Sequence, residues 1–345
     1  MATPALTFPR HIFAKLSPHP YLLRNLSPPD STPVRTNGRA PRDARPFAIH
    51  TSSLSHAHGS ALVRAGDTTV ICGIRGEFLP VTSIPNFRPE NPSLTPDNDE
   101  NEHDKAGAAE LKDYDLLVPN IELATGCAPQ FLPGVPPTAQ AQTLSTRIYS
   151  LLHGSGLVDV EGLRVWYTPE KKEKVEGMDV DDEEVEQEEE GPQLMAYWVL
   201  YIDLVVVSFD GNAFDAAWTA VVAALRDTAL PAARWDADRE AALCSATKTN
   251  KLVTRGLPVA CTAAVFLEKE QGEPGEGRHW ILLDPDRLEE SLCKETVTLV
   301  VDCSEGETRI RALEKHGGTV IGRELLRGMV AVAAGRWKEV KEAMG

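Results

Sequence analysis

The chain has 345 residues, 42% of them hydrophobic, and a net charge of −16. That length allows one large or two ordinary domains, and the apolar content is ample for a core. The charge argues against a general nucleic-acid-coating protein, but ten of the acids lie in Glu176–Glu190, which has no Lys or Arg, so the rest is only mildly acidic and leaves room for basic patches.

The first 34 residues read as an N-terminal extension. Phe13, Leu16, Tyr21, Leu22 and Leu26 fit a short helix, interrupted at Pro18 and Pro20, that packs onto a body or partner. A single domain is expected over 35–341. SALVRAGDTTVICGI (60–74) predicts a β-hairpin turning at Gly66-Asp67. The polar, Pro-rich stretch 86–105 reads as a disordered insert. Ala141, Leu144, Ile148 and Leu151 predict a helix over 138–152, stopped at Gly154. The acidic insert near 170–193 cannot bury enough apolar surface to offset its ordering entropy. AYWVLYIDLVVVS (196–208) predicts a long, buried strand, and Phe214, Ala217, Trp218, Val221 and Leu225 predict a helix with one apolar face. LPVACTAAVFL and HWILLD form a strand pair across a third insert near 268–278, and ETVTLVVD pairs with TRIRALEK. Leu326, Met329, Ala333, Trp337, Val340 and Met344 place a last helix over 323–344. Strand pairs covered by helices give an α/β (α+β) domain, with a hint of two βα halves and no close repeat.

Several features bear on chemistry. The six cysteines are scattered with no C-x-x-C pair, so reduced, buried thiols are expected rather than a zinc site. No apolar run reaches membrane-spanning length and the N-terminus lacks a signal-peptide core, so a nuclear or cytosolic protein is expected. His56 and His58 share a strand face at i, i+2, but no third ligand lies nearby in sequence. Ser60 has no G-x-S-x-G elbow. The stretch SFDGNAFDAAW (208–218) opens a helix. Of a phosphate cradle, a calcium loop, and a turn with Asn212 as N-cap and Asp215 as its capping partner three residues on, the last is the expected one. The calcium series D-x-D-x-D-G is absent.

RTNGRAPRDARPFAIHTSSLSHAHGSALVRAGDTTVICGIRGEF (35–78) resembles the opening of the ribonuclease PH family. Gly38-Arg39, Arg45-Pro46, Gly59-Ser60, Val63, Gly66, Thr68 and Val70 fit its G-R…R-P and G-S-x-x-V-x-x-G-x-T-x-V patterns. The likeness runs through most of 35–341. Within the family the chain looks like the ring subunits of the eukaryotic RNA exosome. The resemblance implies two βα halves of ribosomal-protein-S5-domain-2-like topology around one core.

Active members of this family release 3′ nucleotides from RNA with inorganic phosphate, and their turn reads D-G-G-T-R-T. Here Asp210 and Gly211 match, Asn212 replaces the second Gly, and Ala213 and Phe214 replace the Thr-Arg pair. Asp284 and Glu290 fall where active members carry two aspartates. Arg147 falls on one of two RNA-contacting arginines, the other being Thr143 here. The resemblance therefore implies a non-catalytic ring subunit without cofactor or metal, supporting rRNA processing and mRNA turnover in nucleus, nucleolus and cytoplasm. Its implied partners are the other ribonuclease-PH-like subunits of a six-membered ring, S1/KH cap subunits, RNA in the central pore and an associated exoribonuclease, with no membrane. The alternative is a phosphorolytic 3′–5′ exoribonuclease with a remodelled site using Asp284 and Glu290.

Overall fold

The structure is a computed structural model that describes residues 9–28, 32–85, 87, 100–133, 138–168, 191–268, 278–318 and 322–345. Two short helices, α1 (Arg10–Leu16) and α2 (Pro18–Leu26), precede the body. Pro18 starts α2 rather than breaking a helix. At the first helical position its missing N–H would be unpaired anyway, and Pro20 is tolerated in the same turn. Leu22 and Leu26 are buried against Phe266, Leu282 and Cys293, as the extension's apolar pattern suggested. Leu16, expected to pack with them, is 64% exposed because α1 buries none of its residues.

The first sheet holds β1 (Phe47–Thr51), β2 (Gly59–Ala65), β3 (Thr68–Pro80), β4 (Leu117–Leu123), β5 (Arg164–Tyr167) and β6 (Gln193–Ser208). Its order is β1-β2-β3-β6-β4, with β5 also paired to β6. β4 runs parallel to β6 and the other pairs are antiparallel. The hairpin at Gly66-Asp67 forms in the expected register, Val63 facing Val70. α3 (Glu100–Asp113) and α4 (Ala139–Gly154) lie between strands of this sheet in sequence. The helix α3 corrects the reading of 86–105 as one disordered insert, since 100–105 are helical; Glu100, Glu102 and Lys105 are good helix formers even where apolar content is low. Most of that insert, with 169–190 and 269–277, lies outside the described residues.

After α5 (Ala213–Asp227) come β7 (Ala229–Asp236) and β8 (Ala241–Lys251), a separate two-stranded hairpin. The second sheet follows: β9 (Val259–Leu267), β10 (His279–Leu283), β11 (Glu295–Asp302) and β12 (Arg309–His316), in the antiparallel order β10-β9-β11-β12. α6 (Arg287–Leu292) connects β10 to β11, and α7 (Arg323–Met344) closes the chain. Both strand pairs and the last helix stand where the sequence placed them.

The core is built around α5. It packs on β2 and β3 of the first sheet and on β9 of the second. Every residue from Ala213 to Leu225 is buried, so the one apolar face expected is in fact an apolar circumference. Alanines at 216, 217, 220, 223 and 224 let two sheets approach one helix. Trp218 is fully buried and its Nε1–H donates to the Pro258 carbonyl at 2.8 Å. On the far side of the second sheet α7 buries Met329, Ala333, Trp337 and Val340 against β9 and β11, and Trp337 Nε1–H donates to Leu257 O at 2.7 Å.

Candidate functional site

The candidate site lies where β6 runs into α5. Gly211 has φ of 82° and its Cα faces the Pro285–Arg287 backbone. A side chain there would meet Pro285 O and the Asp286 carbonyl carbon at 2.5 Å, so only glycine fits. Thr68 holds the turn from the hairpin: its hydroxyl donates to Gly211 O at 2.9 Å and accepts from the Asp210 N–H at 3.0 Å. Asn212 is the N-cap residue by position, with φ 48° and ψ 50°.

The expected capping box does not form. In the left-handed conformation, which Asn tolerates, the side chain swings away from the first-turn N–H groups. Asn212 Nδ2 instead donates to Asp215 Oδ2 and Asp284 Oδ1, both at 2.8 Å, and its backbone N–H donates to Glu290 Oε1 at 2.7 Å. Asp215 is buried and turned towards β9, accepting from Thr262 N–H at 2.8 Å and Thr262 Oγ1–H at 2.7 Å. Burial raises its proton affinity against those donors. A true capping box does occur nearby, at α6, between Asp286 and Glu289.

Asp284 and Glu290, six residues apart in sequence, thus meet the same turn from β10 and α6. Asp284 is held by three arginines' worth of chain from the segment before β1. Arg45 Nε and Nη2 reach Asp284 Oδ2 and Oδ1 at 2.8 Å each, and the Arg45 backbone N–H adds a third bond at 2.8 Å. Arg39 contributes Nη1 to Oδ2 at 3.1 Å. Arg35, fully buried, pairs with Glu289 and donates to Leu283 O at 2.6 Å and Asp284 O at 3.1 Å. Burial works against the Asp284 carboxylate, but the Arg45 bonds and charge outweigh it and hold the group down at about 2. At Glu290 burial dominates, and with Asp284 and Asp286 nearby it pushes the carboxyl up to about 7 despite the Asn212 N–H.

Ala213 and Phe214 open α5, both buried. The Arg147 guanidinium of α4 lies 3.8 Å from the Phe214 ring centroid, while Arg147 Nε donates to Glu314 Oε2 at 2.5 Å and Nη2 to Thr298 Oγ1 at 3.0 Å. Phe214 and Arg147 are therefore one packed unit, joining α4, α5 and the second sheet. The sequence does not single out the arginines 35, 39 and 45 or Thr262 as site residues, and it offers Asn212 and Asp215 as turn and cap only. The arginines' signal was the G-R…R-P spacing, which says that arginines recur but not what they face.

His56 and His58 do not share a strand face. Both precede β2, and His58 Nδ1 accepts the Gly76 N–H at 2.9 Å. No group of three or more His, Cys, Asp or Glu with metal-holding geometry occurs among the described residues. All six cysteines are free thiols, four of them buried.

Residues 43–231 match domain 1 of the 3′ exoribonuclease family, and residues 256–335 match its domain 2. The chain belongs to the 3′ exoribonuclease family. The fold described above is accordingly the ribonuclease PH fold, with an α/β (α+β) arrangement of two halves. The chain is 30% identical over 333 residues to exosome complex component rrp43 of Schizosaccharomyces pombe, covering 96% of this chain and 97% of that one. It is 27% identical over 299 residues to exosome complex component Rrp42 of Methanothermobacter thermautotrophicus, covering 87% and 85%. Among solved structures, a chain of the Archaeoglobus fulgidus exosome with RNA bound to the active site superposes with a TM-score of 0.63 at 23% identity, covering 97% of this chain and 100% of that one, which supports the fold. The F-x-K-L-S-P pattern at 13–18 and the D-G-N-x-x-D-A-A-W turn resemble exosome component 8, ribosomal RNA-processing protein 43, in keeping with the yeast relative's designation.

Proposed function

We propose that this chain is a non-catalytic subunit of an exosome core ring, supporting 3′–5′ RNA processing and degradation, including rRNA processing and mRNA turnover, by forming ring and pore. The observation that carries this reading is the opening of α5. Where active relatives in the family place a hydroxyl and a guanidinium for phosphate, this chain has Ala213 and a buried Phe214 packed under Arg147. A helix N-terminus attracts anions through its free N–H groups and dipole. Here the N–H groups stand without either partner, while Asp284 and Glu290 flank the turn where active relatives carry two aspartates. Losing one charge-assisted contact to phosphate costs about 1.5–3 kcal/mol in binding.

The similarity to exosome components across nearly the whole chain supports ring membership. Its partners in this reading are the other ribonuclease-PH-like subunits of a six-membered ring, S1/KH cap subunits, RNA threading the pore and an associated exoribonuclease. Its places are those of the exosome, nucleus with nucleolus and cytoplasm. Glu290, with a carboxyl near neutral in proton affinity, is the feature that favours a working acid and hence the phosphorolytic alternative.

The deciding experiment incubates the folded chain, alone and in its assembly, with labelled RNA with and without inorganic phosphate. No nucleoside diphosphate is expected from the chain alone, and native mass should show it with related subunits. Phosphate-dependent release that disappears in Glu290→Gln would overturn the non-catalytic reading.

A further inference from the structure

The segment before β1 reaches β10 and α6 through Arg35, Arg39, Arg45 and Asn37. Asn37 sits in a turn where the Gly38 N–H donates to the Arg35 carbonyl at 3.1 Å and the Arg35 N–H to the Arg39 carbonyl at 2.9 Å. Asn37 is exposed, yet both ends of its carboxamide are held. Nδ2 donates to Asp286 Oδ2 at 3.0 Å, and Oδ1 accepts the Arg39 N–H at 3.1 Å. Asp286 caps α6, so this carboxamide joins the segment to that helix, as Arg35 does through Glu289.

Asn37-Gly38 is the one Asn-Gly step in the chain. Every other asparagine precedes a residue with a side chain, as at Asn25-Leu26, Asn120-Ile121, Asn212-Ala213 and Asn250-Lys251. A side chain on the following residue obstructs the approach of its backbone nitrogen to the asparagine carboxamide, and glycine has none. Gly38 is exposed with φ of 88°, and a Cβ placed on it would meet nothing within 4 Å. The peptide therefore has room to rotate once its bond to Arg35 O opens. The Arg39 N–H points at Oδ1, the atom on which negative charge develops when Cγ is attacked, as oxyanion donors do in acyl transfer.

We propose that Asn37 is a site of spontaneous deamidation in the folded chain, and that the conversion loosens the 35–45 segment from α6. Hydroxide takes the Gly38 amide proton, and that nitrogen forms a bond to Asn37 Cγ. The tetrahedral centre collapses as the Cγ–Nδ2 bond breaks, and Nδ2 leaves as ammonia with a proton from water. Water then opens the cyclic imide at either carbonyl, giving aspartate or isoaspartate. One water is consumed and one ammonia released, and no oxidant or reductant takes part. Both products replace the donor with a carboxylate facing that of Asp286, and like charges repel. Isoaspartate also adds a methylene to the main chain between Arg35 and Arg39, which hold Glu289 and Asp284. The chemistry is independent of ring membership.

The test ages the folded full-length chain at mildly alkaline pH and follows residue 37 by peptide mass, with isoaspartate separated from aspartate by chromatography. Acid should accumulate at 37 before any other asparagine, and Asn37→Gln should abolish the gain there, because attack would have to close a larger ring. A folded chain that keeps this amide while the same chain in guanidinium chloride converts would overturn the site. So would conversion spread evenly over the other asparagines. The loosening is tested by a mutant cycle. Asn37→Asp should lower the melting temperature by about 2 °C or more in the parent, and by much less in an Asp286→Asn background. Asn at that N-cap keeps an acceptor for the Glu289 N–H and removes the opposing charge. Equal losses in the two backgrounds, or none in the parent, would overturn the loosening.

Discussion

On one side of the Gly211–Asn212 turn, the Asp284 carboxylate accepts from Arg45, Arg39 and Asn212. On the other, Glu290 meets the Asn212 N–H with two acids close by. Both carboxyls are largely buried, so burial alone does not separate them. One sits at about 2 and the other at about 7 because guanidinium donors reach the first and not the second. The difference teaches what the clamped side does for the fold: Asp284 ties the 35–45 segment to β10 and to α5. The open side carries an acid whose charge the fold disfavours.

The largest effect should come from breaking the clamp. Arg45→Met removes the two side-chain donors to Asp284, as well as the bonds to Asp210 O at 2.9 Å and Gly211 O at 3.3 Å. Truncating one partner of a buried ion pair leaves the other charge stranded, so a loss of about 3–5 kcal/mol is expected in urea unfolding. Replacing Asp284 as well, with Leu, should recover part of it. A loss below about 1 kcal/mol would mean Arg39 and Asn212 suffice to hold the carboxylate.

The open side gives a smaller, pH-dependent effect of opposite sense. Glu290 has a raised folded-state proton affinity, from the ordinary 4.5 to about 7. The folded chain therefore binds this proton more tightly than the unfolded one. The stabilisation is fully present below about 4.5 and is lost as pH rises through about 7. Glu290→Gln should match the parent near pH 4.5 and exceed it at pH 8 by on the order of 1–3 kcal/mol. Asp284 behaves conversely: its contribution is present above the ordinary 3.8 and is lost as pH falls through about 2. Melting curves of parent and Glu290→Gln at both pH values test the contrast. An offset independent of pH would show that packing, not ionisation, is what changed.

The fold was legible where a pattern is local. The Gly66-Asp67 turn, the long strand β6 and the helix over 323–344 carry period-2 or period-3.6 patterns that neighbouring residues alone create. The β7–β8 hairpin escaped notice because its strands alternate weakly and β8 is mostly exposed. At the site, the positions of Ala213, Phe214, Asp284 and Glu290 came from family resemblance. The capping box was misread because nothing in the sequence shows that Asn212 adopts the left-handed conformation. Arg45 and Asp284 lie 239 residues apart, and no local pattern records which carboxylate an arginine will find.

Arg147 sharpens the same comparison most finely, since it is the residue for which a structural and an RNA-binding role predict different measurements. Its guanidinium covers the Phe214 ring and pairs with Glu314, and its side chain is 20% exposed. Arg147→Met keeps an apolar cover on Phe214 while removing the charge. A half-buried ion pair contributes about 0.2–1 kcal/mol and a cation–π contact about 0.5–2 kcal/mol. A destabilisation of about 1–2 kcal/mol is therefore expected in thermal melts. If the arginine is committed to Phe214 and Glu314, RNA affinity of the assembled complex and its slope against log salt should not move. If it reaches an RNA phosphate, affinity should fall at every sequence and the slope should lose about one counterion. A structural result would extend the clamped side of the turn outward from Asp284 to the surface of α4, since the residue that replaces the family's phosphate-binding arginine would also have captured the arginine beside it.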